Sequence, residues 1–319
     1  MKTQQQRYFD VDFKDLLITL NCFSLITFDH HHLHKIRETE EMNKSPSISV
    51  LPEGCISDLI SCTSPRDASR FAAISKLFNA AADSDSVWER FLPSDYRDVI
   101  GRAVSAPVVF DSKKQLYVQL SDSYLLLDRG RLAFKLDKET GKKCYMLGAR
   151  DLSIAWQDDA RYWEWGPVPG SRFAEAGILR EVWWLDIRGI IDTSVLSQES
   201  IYGAYLVYRV TQDAHGLGVP AKTIVTLGEI RNETSNVYLQ QPRVPRRDRV
   251  VVTHTMRKDG WMEIKLGEFY CSDGDEGEVE MVLHEHLSWK SGLIVEGIEI
   301  RKEEVARVSA GISGLLRVA

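Results

Sequence analysis

Glu278 and Glu280 flank Val279 in a run that alternates polar and apolar residues, so their carboxylates face the same way. Paired carboxylates can act as acid, base or nucleophile at a glycosidic bond, but they must stand on either side of it. Two acids at i and i+2 of one strand do not, and they read as a solvated strand face. In His30-His31-His32-Leu33-His34 the first and last imidazoles are four apart, but the Glu that follows the first His of a zinc-protease helix is missing. The Gly141-Lys142-Lys143 stretch lacks the upstream glycine of a phosphate loop, and Asp273-Gly274-Asp275-Glu276-Gly277 lacks the distal Glu of a calcium loop. Asn232-Glu233-Thr234 is a glycosylation sequon, idle outside a secretory route. No Ser/His/Asp or Cys/His spacing supports nucleophilic catalysis. The expectation is a non-catalytic protein with no catalytic residue, metal or cofactor.

The sharper signal is aromatic. Seven of the eight tryptophans fall at Trp156, Trp163, Trp165, Trp183, Trp184, Trp261 and Trp289. Trp offers a large apolar face and one N–H donor, which suits a flat, half-polar ligand such as a sugar ring. Aromatics are also common in strands, so most of the seven read as core. Trp156, Trp163 and Trp165 stand apart because they surround the polar turn 157–161. Leu152 and Ile154 share a strand face with Trp156, which predicts that Trp156 is partly core. Trp163 follows the turn and is predicted to be exposed, with Asp158 or Asp159 free to meet sugar hydroxyls.

The elements that must position these residues fall into two blocks. Leu51-Pro52-Glu53 opens a helix continued by Ile56, Leu59 and Ile60. Ser64-Pro65-Arg66-Asp67 starts a second with a cap, a first-position proline and an acidic third position, and Phe71, Ile74, Phe78 and Ala81 share its face. Asp83-Ser84-Asp85 starts a third, bearing Val87, Trp88, Phe91 and Leu92. From Lys113 the period changes to two, first at Leu116, Val118 and Leu120. It continues at Leu132 to Leu136, Val182 to Ile187, Ala204 to Val210, Met262 to Leu266, Val279 to Leu283 and Leu293 to Ile300. Short alternating strands with turns at Asp259-Gly260 and Asp273-Gly274 and no intervening helices predict a β-sandwich or barrel.

Composition bounds the rest. The 319 residues suffice for two domains, and 44% hydrophobic with 27% charged residues is ordinary for a globular chain. A net charge of −6 disfavours nucleic acid as a partner. Cys22, Cys55, Cys62, Cys144 and Cys271 are odd in number and form no CxxC pair, which predicts free thiols in a reducing compartment. The apolar run Leu16 to Phe28 is shorter than the ~20 residues that span a bilayer and lacks the basic start of a signal peptide. No membrane partner is expected, and the cytoplasm and nucleus are the expected locations.

Leu51-Pro52-Glu53-x-x-Ile56, Thr63-Ser64-Pro65-Arg66-Asp67 and Val87-Trp88-x-x-Phe91-Leu92 together resemble the F-box motif. The resemblance implies docking onto a Skp-type adaptor and cullin of a ubiquitin ligase, with Leu51, Pro52, Ile56, Pro65 and Trp88 facing or bracing the adaptor. Further along, Lys142 to Leu147, Ala149 to Ile154, Tyr162-Trp163-x-Trp165, Trp184 to Ile187, Asp259 to Phe269, Gly277 to Met281 and Trp289 to Gly292 follow in the order of another family. These blocks are similar to the phloem-protein-two family of plant lectins (the Nictaba-like lectins). That likeness implies a jelly-roll-like sandwich binding N-acetylglucosamine oligomers or related glycans and glycoproteins, with Trp156, Trp163 and nearby Trp165 at the sugar site. The basic nuclear-targeting loop of such lectins has no Lys run here, only Arg243 and Arg246-Arg247 in a comparable loop.

The expected architecture is therefore α+β and multidomain, a small three-helix F-box module followed by an all-β jelly-roll-like sandwich. Its boundaries read as an N-terminal extension at 1–48, the F-box at 49–97, a linker at 98–112, the lectin sandwich at 113–303 and a tail at 304–319. The expected function is a substrate receptor of an SCF-type cullin ubiquitin ligase. The alternatives are a cytosolic or nuclear lectin without a ligase role and a glycoside-processing enzyme. Association of two copies is left open by the sequence.

Overall fold

The computed structural model describes residues 51–104, 107–241, 252–274 and 277–303. The 1–48 extension with its His tract and apolar run, Cys22, Arg243 with Arg246-Arg247, Asp275-Glu276 and the 304–319 tail lie outside the described residues. The chain divides into two compact units. One runs through Leu92 and includes Phe110–Tyr117 and Lys138–Gly141; the other comprises Pro93–Val109, Val118–Asp137 and the residues from Lys142.

In the first unit four short helices follow one another: α1 (Glu53–Ser61), α2 (Pro65–Phe71), α3 (Lys76–Asp83) and α4 (Asp85–Phe91). Ser64 caps α2 by accepting from the Asp67 N–H at 3.1 Å, as its sequence predicts. The single long second helix is corrected. Ser75 accepts from the Phe78 N–H at 3.2 Å and starts a new helix, because a serine hydroxyl offers the backbone a partner that competes with helix continuation. Phe71 and Phe78 still meet, with ring centres 6.2 Å apart, but Ile74 in the break is 38% exposed. Ile56, Ile60, Ala68, Phe78, Val87 and Trp88 form the interior, and the Trp88 indole N–H donates to the Ala82 carbonyl at 2.7 Å.

The second unit begins with α5 (Tyr96–Gly101), and Ala103 bridges Leu127 beside the first strand. The strand expected at Leu116 to Leu120 is a helix, α6 (Lys113–Asp122), which begins in the first unit and ends in the second. Leu116, Tyr117 and Leu120 are buried while Val118 is 39% exposed, which is an i, i+1, i+4 face and not a two-residue period. Ser112 opens it by accepting from the Gln115 N–H at 3.2 Å. Leu116 and Leu120, four apart, fit either pattern, and the cap decides.

Two sheets follow. One contains β1 (Leu125–Leu127), β2 (Leu132–Leu136), β3 (Lys143–Gly148), β15 (Ser291–Lys302), β8 (Ser200–His215), β13 (Met262–Cys271) and β12 (Thr255–Met256), in that order. On the same sheet β5 (Trp163–Gly166) pairs with β6 (Ala176–Leu179), and β6 pairs with β15. The other runs β11 (Val252–Thr253), β10 (Ile230–Tyr238), β9 (Ala221–Leu227), β14 (Glu278–Glu285), β7 (Leu185–Asp192) and β4 (Ser153–Ile154). The pairs are antiparallel except β10 with β11. The chain crosses from sheet to sheet at β3–β4, β4–β5, β6–β7, β7–β8, β8–β9, β11–β12, β13–β14 and β14–β15, the wiring of a two-sheet β-sandwich.

The sheets pack face to face. A Cβ on Gly189 of β7 would stand 2.9 Å from Ile298 Cδ1, and one on Gly267 of β13 would stand 2.7 Å from Val225 Cγ2, so small residues set the closest approach. The β15 sheet is covered on its outer face too, where Ala133, Met146, Phe173, Val207 and Trp261 form a second cluster. This explains why β15 is buried along nearly its whole length, carboxylates included. Glu299 bonds Arg257, Arg301 and Tyr124, and Glu296 accepts from Arg172 at 2.8 Å. Among the described residues no helix is long and apolar enough to cross a membrane.

Candidate functional site

The 155–162 turn leaves the sandwich where the edge strand β4 ends. β4 is short because it has only β7 to pair with, Ile154 lying opposite Ile187. Ala155 extends the contact by donating its N–H to the Asp186 carbonyl at 2.9 Å. The chain then turns on itself, with Gln157 N–H to Ile154 O at 3.1 Å and Asp159 N–H to Trp156 O at 3.0 Å. Trp156, at the turn, has φ of 65° and is 59% exposed. A bulky residue in the left-handed region is strained, and such strain concentrates where function holds it in place.

The two later tryptophans hold this turn from below. Trp163 on β5 is 2% exposed and donates its indole N–H to the Ala155 carbonyl at 3.0 Å. Trp165 donates to the Gln157 carbonyl at 2.9 Å, and its ring lies between Trp163, 6.5 Å away, and the Arg150 guanidinium, 4.0 Å away. The predicted exposures are therefore reversed: Trp156 is out and Trp163 is in. β5 pairs with β6 and turns Trp163 inward opposite Leu179, whereas the positive φ lifts Trp156 off the face of Ile154. Asp159 is occupied by Arg161, which keeps its carboxyl below the usual range through hydrogen bonds, while Asp158 is exposed.

Around Trp156 the fold gathers aromatic residues that sequence reasoning assigned to the core. Trp183, Trp184 and Trp289 are 47%, 52% and 51% exposed. They sit in the segments flanking β7 and β14, which the backbone ties together through Val182 and Lys290 at 3.0 and 2.9 Å, and through Arg180 N–H to Tyr162 O at 2.8 Å. Trp183 meets Trp289 edge-on at 5.9 Å, Trp184 meets His284 at 5.2 Å and His286 at 6.1 Å, and Trp156 meets Tyr162 at 5.8 Å. His284 bridges Asp186 at 3.1 Å and His286 at 2.8 Å, which fixes both imidazoles beside the Trp184 ring. Lys290, buried, braces the base by donating to the Trp183 carbonyl and pairing with Glu285, and burial pulls its ammonium below the ordinary lysine range. The doublet Trp183-Trp184 was the signal for these rings, since adjacent residues in an extended chain cannot both face one core.

This end of the sandwich presents apolar ring faces beside imidazole and carboxylate groups, the surface that a sugar's C–H face and hydroxyl rim require. Glu278 and Glu280 lie elsewhere, at the start of β14 on the opposite end, where a cavity of about 890 Å³ is lined by Ile190, Phe269, Tyr270 and both glutamates. Glu280 is paired with Arg188 at 2.5 Å. Among the described residues no group of three or more His, Cys, Asp and Glu side chains could hold a metal ion.

In the helical unit the five adaptor residues separate by exposure. Pro52 is exposed and Leu51 half-buried, whereas Ile56, Pro65 and Trp88 are interior and can only brace a docking surface.

The Phloem protein 2 sequence profile matches residues 142–302, the span that builds the aromatic end. The chain belongs to the Phloem protein 2 family. Among its relatives in Arabidopsis thaliana, F-box protein PP2-B15 is 42% identical over 288 residues, covering 82% of this chain and 99% of its own. F-box protein PP2-B10 is 40% identical over 274 residues, covering 84% and 99%. This Phloem protein 2 chain is thus of the plant F-box type. A family 35 carbohydrate binding module from Clostridium thermocellum is 14% identical with a TM-score of 0.27, covering 49% of this chain and 96% of that one. That likeness is too slight to carry an argument.

Proposed function

We propose that the protein is a non-catalytic substrate receptor of an SCF-type cullin ubiquitin ligase. Its Phloem protein 2 domain binds glycans or glycoproteins that contain N-acetylglucosamine. Its F-box unit docks on a Skp-type adaptor through Leu51 and Pro52. The observation that carries the glycan half is the group of exposed rings at one end of the sandwich, Trp156, Trp183, Trp184 and Trp289. Trp156 stacks on a sugar ring, and Trp163 and Trp165 position it by holding the carbonyls on either side of it in the turn. The family's F-box relatives support the ligase half.

The receptor does no chemistry. It holds a glycosylated target's lysine near the ubiquitin-loaded enzyme, which converts a bimolecular encounter into a local one. The setting in which adaptor and target meet is the cytoplasm and nucleus.

Two measurements on the full chain test the halves separately. Replacing Leu51 and Pro52 together by Ala removes two interface anchors at roughly 2 kcal/mol or more each, which abolishes adaptor co-purification and leaves glycan binding intact. Unchanged adaptor capture by that variant would refute docking through Leu51 and Pro52, and no capture by the wild type would leave a lectin without a ligase role. A glycan array on the wild type that shows no N-acetylglucosamine oligomer bound would remove the glycan half.

A further inference from the structure

A cavity of about 320 Å³ in the Phloem protein 2 domain is walled by Arg129, Gly130, Arg131, Gly148, Arg150 and Glu175. One wall is an unusual turn. Asp128, Arg129 and Gly130 have φ values of 49°, 60° and 77°, so three successive residues lie in the left-handed region and only one is glycine. The surroundings hold them there. The Asp128 carboxylate is gripped on both oxygens by Arg102, the Nε contact being 3.0 Å. The Arg131 carbonyl accepts from the Gly148 N–H at 2.8 Å. Gly148 has no room for a side chain, since a Cβ there would stand 2.9 Å from that same carbonyl oxygen and 2.9 Å from Phe173 Cδ1. A turn fixed at this cost aims Arg129 and Arg131 at one space.

Arg150 completes the space from the opposite side. It pairs with Glu175 at 2.7 Å, and Arg131 reaches Asp151 only at 3.5 Å. Arg129 makes no hydrogen bond or ion pair among the described residues. Three guanidinium groups thus line the cavity against the single carboxylate of Glu175. A planar guanidinium presents paired N–H donors that match the oxygens of a sulfate or carboxylate. The Arg150 guanidinium also lies over Trp165, whose indole N–H holds the turn bearing Trp156, so this wall joins the aromatic end.

We propose that this cavity is an oxyanion site that receives the sulfate or carboxylate group of an acidic sugar unit in the bound glycan. The choice of a saccharide rests on the glycan function proposed above; the anion site itself does not.

The test uses the full-length protein at low ionic strength. Inorganic sulfate, titrated while the Gly130 and Gly148 backbone amides are followed by NMR, shifts both in the wild type and neither in Arg129→Gln. Absence of a shift overturns the site. A neutral N-acetylglucosamine oligomer and its O-sulfated counterpart are then compared by calorimetry. The sulfated form binds about tenfold tighter, at the low end for hydrogen bonds to a charged group. That advantage disappears in Arg129→Gln and at high salt, while neutral binding is unchanged. Equal affinity for the two oligomers, with neutral binding intact, overturns the inference and leaves the glycan function standing. If neither oligomer binds while sulfate still shifts the amides, the glycan function fails and the saccharide assignment with it. A phosphopeptide that competes with sulfate in an Arg129-dependent way, where the sulfated oligomer does not, overturns the saccharide in favour of protein recognition. Arg131→Gln, at a side chain that is 61% exposed, repeats every arm if the Arg129 variant melts early.

Discussion

Replacing Trp163 and Trp156 in turn by Ala separates the ring that binds from the ring that positions. Trp163 is 2% exposed and holds the Ala155 carbonyl at 3.0 Å. Its truncation empties a large core volume at about 3–5 kcal/mol. A further ~1 kcal/mol is lost with the Ala155 hydrogen bond. At roughly 2–4 °C per kcal/mol for a domain of this size, the melting temperature falls by about 8–24 °C. Trp156 is 59% exposed, so Trp156→Ala costs within about 0.5 kcal/mol as a surface change. It removes a stacking anchor worth roughly 2 kcal/mol, about a thirtyfold loss of affinity. The assay pairs thermal unfolding with calorimetric titration of an N-acetylglucosamine oligomer on each variant. Trp156→Ala melts like the wild type and loses sugar; Trp163→Ala melts far lower. Wild-type affinity in a folded Trp156→Ala variant, or a wild-type melting temperature in Trp163→Ala, would refute the reasoning. Trp156→Gly gives an internal control, because glycine accepts φ of 65° without strain and stabilises the fold by about 1 kcal/mol or less while losing sugar equally.

Three further outcomes follow from the packing. Glu299→Ala leaves Arg257 and Arg301 without their shared buried carboxylate, which costs about 3–5 kcal/mol and lowers the urea midpoint; an unchanged midpoint would show that solvent reaches those guanidiniums. Ser75→Ala removes the cap that starts α3 and costs about 1 kcal/mol in helical-unit stability, measured by hydrogen exchange at the α3 amides. Stability against pH has an acid limb. Burial pushes the Glu263 and Glu299 carboxyls upward, but the guanidiniums of Arg301 and Arg257 outweigh it and hold both below the ordinary glutamate value of 4.5, and Arg172 does the same for Asp259. The unfolded chain therefore takes up protons first. The stability these groups supply is whole above their ordinary values and is lost as pH falls through the folded ones. Glu296, raised by burial despite Arg172, acts with the opposite sign above its ordinary value. A melting temperature that stays level down to pH 2 would contradict the acid limb.

The alternating runs and helix caps of the sequence determined the division into helical and β segments, because both periods are local consequences of backbone geometry. Ser64 and its Asp67 marked a helix start that the structure keeps, and the runs at Leu132, Met262, Val279 and Leu293 are all strands. Local pattern misjudged Leu116 to Leu120, where a helical face and a strand face coincide over five residues, and α3, where Ser75 interrupts an apolar face that continues across the break. Exposure was beyond its reach. Trp156 and Trp163 differ by seven positions and share a residue type, yet one projects from a strained turn and the other is covered by β6 and the Ala155 carbonyl. Those partners come from other strands, as do the ones that bring Trp183, Trp184 and Trp289 to the same end. Period tells which residues share a face; only the pairing of distant strands decides which face meets water.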